Sequence, residues 1–147
     1  MNQNLKDWID LIAKAVGAAG LLIAALSYRN GVKTKRAEWL KALFEKFYEN
    51  ERFKEVRKWI ESGEIEGKIK AKEFLVTDEE EKLTDYLNFF EFIAILRQEG
   101  HLKQSDVLNL FEYYLRKLKS STACMSWIQN KTYGFDNLRT LLNKVDK

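Results

Sequence analysis

Along the 147 residues, apolar positions form one long run near the start and then a series of shorter stripes at helical spacing. The run, "WIDLIAKAVGAAGLLIAALSY", extends from Trp8 to Tyr28. A helix of about 20 mostly apolar residues crosses a bilayer, so this segment predicts one N-terminal transmembrane helix. Trp8 and Tyr28 stand at its ends, where amphipathic rings favour the headgroup level. Lys14 interrupts the run, but its stem can snorkel toward the nearer interface, and Asp10 lies one turn away as a partner. Alanine and glycine dilute the hydrophobicity, so a core or interfacial helix is the alternative reading.

Within the run, Lys6, Asp10, Ala13, Gly17, Gly20, Ala24, Ser27 and Gly31 fall on one narrow stripe, with steps alternating between four and three. That is the seam spacing of packed helices. Small side chains let helix backbones approach closely in lipid, where no hydrophobic force drives association. The stripe from Asp10 through Ala13, Gly17, Gly20 and Ala24 to Ser27 therefore predicts a homo-oligomer. With Asp10 and Lys6 on it, the same face could line a water-filled pore in a ring of helices.

The rest of the chain reads as a helical bundle of about five helices, residues 37–147, following a membrane segment with its basic flank, residues 1–36. Leu40, Leu43, Phe44 and Phe47 make one apolar stripe, and Phe53, Val56 and Ile60 a second that Gly63 should stop. "EIEGKIKAKEFLV" reads as a connection with a short helical turn, its lysines 68, 70 and 72 a solvated face. Thr77 with Glu80 three residues on resembles a capping box. The helix that follows runs to Gly100, and its apolar positions Tyr86, Leu87, Phe89, Phe90, Phe92, Ile93, Ile95 and Leu96 cover more than one face, as a central helix requires. Ser105 or Asp106 should cap a helix with the stripe Leu108, Phe111, Leu115 and Leu118; "TACMSWIQ" and "FDNLRTLLNKV" complete the set. No strand pattern of useful length appears, so the fold class is all-α.

The absence of proline fits this class. A single cysteine, Cys124, excludes an internal disulfide framework and reads as a small buried hydrophobe. The net charge of +3 is unevenly placed: Arg29, Lys33, Lys35 and Arg36 carry four positives in eight residues, while the remainder is close to neutral. Such a flank anchors a span, and the positive-inside rule then puts the bundle in the cytoplasm and the N-terminus on the other side. The positives follow the apolar run, the reverse of a signal peptide's order. Trp8, Tyr28 and the four cations are thus the predicted membrane anchors, and the lipid bilayer the first partner.

The catalytic inventory is thin. No glycine-rich phosphate loop follows a strand, no Cys/His cluster has zinc spacing, and no metal or other cofactor is implied. One stretch, "RQEGH", places Arg97 and His101 at the end of the central helix. A histidine could act as general acid or base on a ribose hydroxyl while an arginine neutralises the phosphate. The pair resembles the HEPN ribonucleases, all-helical proteins that join an arginine and a histidine across a dimer. The spacing here is tighter than that family's, and Glu99 adds negative charge where a phosphate would bind. The alternative is a plain helix end, with Arg97 on the last carbonyls, Gly100 as left-handed cap and His101 as a turn residue.

Taken with the span and its basic flank, "LFEKFYENERFKEVRKWIE" and "LTDYLNFFEFIAILRQEGHLKQSDVLNLFEYYL" resemble small bacterial membrane proteins with one N-terminal span and a cytosolic helical domain. A more specific resemblance is to the accessory membrane proteins of type VI CRISPR systems, whose helical domain is likened to a degenerate HEPN. That resemblance implies a non-enzymatic, oligomeric membrane effector, a pore that aids antiphage defence beside an RNA-guided nuclease. The rival functions are a membrane-tethered adaptor for a protein partner and a ribonuclease using Arg97 and His101, the one reading that requires a nucleic acid.

Overall fold

In the computed structural model the described residues are 3–70 and 77–145, with side chains described from residue 26 onward. Every regular element among them is helical. The α-helices are α1 (Gln3–Glu49), α2 (Glu51–Ser62), α3 (Glu64–Lys70), α4 (Asp78–Gln98), α5 (Gln104–Ser120), α6 (Thr122–Gln129) and α7 (Asp136–Leu142), with a 3-10 turn at Lys131–Tyr133 before α7. The chain divides into two compact units, Met1–Trp39 and Leu40–Lys147. α1 runs unbroken past residues 36 and 37, so the change from basic flank to core-forming stripe occurs within one helix.

The second unit is organised around Phe47, which is fully buried in the last turn of α1. The rings of Phe53, Tyr86, Phe89, Phe90, Phe111 and Tyr114, from α2, α4 and α5, have centroids within 6.4 Å of its own. Such tilted, edge-on and stacked pairs add about 0.5–1.5 kcal/mol each beyond their burial. Asn50 ends α1: its backbone turns extended, and its side-chain oxygen accepts the Phe53 N–H at 3.2 Å, starting α2 after one residue. Gly63, at φ 80°, closes α2 in the left-handed region that glycine enters without a Cβ clash.

α4 packs against α2 and α7 and is central, as its sequence predicts, but not on all the expected positions. Phe92 and Ile95 are 52% and 38% exposed. They lie with Asn88 and Glu99 on one row at steps of four, three and four, all exposed, so this row is the helix's solvent face despite its two apolar side chains. α4 starts after Thr77 as read, but no side-chain bond makes that cap; Glu81 N–H bonds to the Thr77 carbonyl at 3.4 Å. α5 starts one residue before Ser105, and Asp106 accepts the Lys103 N–H at 3.0 Å, so it serves three residues inside the start.

Two short helices are capped by carboxylates from elsewhere. Glu66 of α3 accepts from the Ser121 hydroxyl at 2.7 Å and the Ala123 N–H at 3.1 Å, at the start of α6. Glu91 of α4 accepts from Asn137 N–H at 3.2 Å and Leu138 N–H at 2.6 Å, at the start of α7. Each meets orphan donors that a helix start cannot pair internally. Of the segment read as a connection with a short helical turn, Glu64–Lys70 form a helix that carries this carboxylate, and residues 71–76 lie outside the described residues.

Candidate functional site

The N-terminal stripe is only partly within view. Asp10, Ala13, Gly17, Gly20, Ala24 and the anchor Trp8 belong to α1 by backbone, and their side chains lie outside the described residues. Among the described residues no helix is long and apolar enough to cross a membrane, and the side chains of most of the apolar run are not among them. From residue 26 the surface is clear. Ser27, Tyr28, Arg29, Lys33 and Lys35 are exposed, Arg36 is half-buried, and a Cβ on Gly31 would meet nothing within 4 Å.

Helical spacing sorts these residues into two adjacent rows. Tyr28, Val32, Lys35 and Trp39 follow one another at steps of four, three and four, and Arg29, Lys33 and Arg36 lie one residue further round. Tyr28, Val32 and Trp39 are 74%, 48% and 40% exposed. No Asp or Glu occurs between Leu26 and Ala37.

Arg97 stands in the last turn of α4 and His101 in the turn that follows. The Arg97 guanidinium turns to Gln104 of α5, its Nη1 donating to Oε1 at 2.8 Å, instead of to the carbonyls at the end of α4. His101 is exposed in the turn that follows. Gly100, at φ 77°, makes that turn, and the His101 and Leu102 N–H groups both donate to the Leu96 carbonyl, at 2.9 and 3.1 Å. This is the helix-end geometry of a left-handed cap.

The most constrained cation is one the pattern of the sequence does not single out. Arg57 of α2 is 8% exposed; its Nη1 donates to the Phe47 carbonyl in the last turn of α1, where the helix dipole favours a cation. Its guanidinium carbon lies 4.7, 5.4 and 5.9 Å from the ring centroids of Phe47, Tyr48 and Tyr114. Burial, joined by a hydrogen bond with Tyr48, pushes the Tyr114 hydroxyl up to about 12. The available signal was its position: Arg57 falls on the apolar stripe of Phe53, Val56 and Ile60.

Three further cations of the bundle tie helices together through carboxylates. Arg52 reaches Asp78, Glu81 and Asp85 at 3.2, 3.0 and 3.3 Å, and Lys82 reaches Glu55 and Asp78, both at 2.7 Å. The acidic start of α4 thus fastens α2 as well as matching its own dipole. Lys68 bonds Glu79 at 2.5 Å and lies 4.7 Å from the Trp59 centroid, so it is not a simple solvated lysine.

Burial raises the Cys124 thiol to about 11, leaving it un-ionised near neutral pH and a poor nucleophile. No group of three or more His, Cys, Asp or Glu side chains among the described residues is arranged to hold a metal. Two open grooves flank the end of α1. One, of about 360 Å³, is lined by Leu43, Phe89 and Phe92 with Lys46 and Asp85. The other, of about 350 Å³, is lined by Leu40, Phe44 and Leu110 with Lys41 and Asp106. Both lie at the low end of the volumes of about 300–1,000 Å³ usual for ligand pockets, and Arg97 and His101 line neither. No family model matches the chain, and neither the curated proteins nor the solved structures yield a match.

Proposed function

We propose that this chain is a single-span inner-membrane protein that self-associates through its N-terminal helix and acts as a non-enzymatic effector, with its helical bundle in the cytoplasm. The observation that carries the reading is α1 itself: one unbroken helix bears the apolar run, then the basic flank, then the Leu43 and Phe47 positions of the bundle core. A membrane pore serving antiphage defence, the role implied by the resemblance to the CRISPR accessory proteins, is the specific form such an assembly would take. The ribonuclease reading is weaker, because Arg97 is engaged by Gln104 while His101 faces solvent; His101→Ala should leave any RNA cleavage in a preparation unchanged.

An adaptor that holds a protein partner at the membrane is the second reading, favoured by the two apolar-floored grooves beside Phe44 and Phe92. Particle mass of the full-length chain in mild detergent separates the two. A discrete assembly of several copies, dispersed by Gly20→Leu, supports the oligomeric effector and makes conductance the next measurement. A monomer or dimer insensitive to that substitution supports the adaptor.

A further inference from the structure

We infer that residues 28–39 of α1 form a contact face for acidic phospholipid headgroups, an inference that rests on the membrane reading above and gives the bilayer a required chemistry. Arg29, Lys33 and Lys35 are exposed and have no carboxylate within ion-pair distance among the described residues, whereas Arg52, Lys68 and Lys82 of the bundle each do. No acid follows Asp10 until Glu38. These cations are therefore available to an external anion.

The geometry points to a surface more than to a single ion. Arg29 and Arg36 are separated by about 10 Å along the axis at 1.5 Å per residue, which keeps the whole basic row within about one Debye length of a bilayer surface at Tyr28. Beside it runs the row of Tyr28, Val32 and Trp39, exposed and apolar, with Lys35 between them. Tyrosine and tryptophan favour the headgroup level, and the Lys35 stem can lie along the apolar row while its ammonium reaches phosphate. A helix leaving the membrane tilted toward this side puts aromatic rings among headgroups and cations against their phosphates. A nucleic acid would use the same cations but leave Val32 in water. Lipid is thus the better match to both rows.

The test uses the full-length chain reconstituted in phosphatidylcholine bilayers containing a minority of phosphatidylglycerol, with spin-labelled versions of each lipid as reporters. Lys or Arg near an acidic surface contributes about 1 kcal/mol, so selection of phosphatidylglycerol by about fivefold is expected. High salt and the combined variant Arg29→Gln, Lys33→Gln, Lys35→Gln should abolish the preference while the protein stays in the bilayer. Equal association of both lipids with a protein firmly held in the bilayer overturns the inference and leaves the membrane reading standing. Release of the wild-type protein from the bilayer overturns both. Salt-sensitive binding of an RNA oligonucleotide by the detergent-solubilised chain, lost in the same variant and accompanied by no lipid preference, would make nucleic acid the occupant instead.

Discussion

Arg57 and Arg29 carry the same charge in different units of the chain and are used in opposite ways. Arg57 is almost fully buried; it closes the end of α1 through the Phe47 carbonyl and lies among three aromatic rings. Arg29 is exposed, in a stretch of α1 that contains no acid from Leu26 to Ala37. In the bundle Arg52, Arg57, Lys68 and Lys82 join helices, whereas Arg29, Lys33 and Lys35 of α1 are exposed. Charge inside the bundle is architecture; charge on α1 before the bundle is available for recognition.

The largest expected effect lies on the architectural side. Phe47→Ala should cost about 3–5 kcal/mol, the usual loss for a buried aromatic, against a domain stability of about 5–15 kcal/mol. Denaturant unfolding followed by circular dichroism reads it, and a loss under about 1 kcal/mol would remove Phe47 from the centre of the core. Next comes Arg57→Met, which deletes a charge-assisted bond to a buried carbonyl and should cost about 1.5–3 kcal/mol. Arg29→Met should stay within about 0.5 kcal/mol in the same measurement. Equal losses at the two arginines would erase the contrast between the units.

A pH titration sharpens it further. The Ser121 hydroxyl and then the Ala123 N–H hold the Glu66 carboxyl below its ordinary range, and Lys82 and Arg52 do the same for Asp78. Because these folded-state values are lowered, their contribution is complete above the ordinary carboxylate range, about pH 4–5, and is lost as pH falls below that range through the lowered folded-state values. Glu66→Gln should cost about 1 kcal/mol at neutral pH and flatten the acid limb of the stability curve. An unchanged acid limb would mean that Glu66 does not restrain α6 as a carboxylate. The smallest effect belongs to Phe92→Ser or Ile95→Ser on the exposed row of α4, within about 0.5 kcal/mol; a larger loss would place that row in an interface.

What the sequence makes legible here is what one helix determines by itself. The spacing of Phe53, Val56 and Ile60, the stop at Gly63 and the turn at Gly100 depend on local periodicity and on the backbone freedom of glycine. The uses of Glu66, Glu91 and Arg57 depend on which helix end meets which side chain, and no spacing along the chain encodes that. Phe92 and Ile95 look like core because they are apolar, yet both side chains are exposed. In residues 26–39 the basic run was plain, but the exposure of Tyr28, Val32 and Trp39 beside it was not.

The membrane reading is tested most directly by washing bacterial membranes that contain the full-length chain with alkaline carbonate, which strips proteins held by charge and spares those that span. Retention in the pellet is the predicted result, both for the wild type and for the variant lacking the charges of Arg29, Lys33 and Lys35. Quantitative release of the wild-type chain into the supernatant would contradict the account.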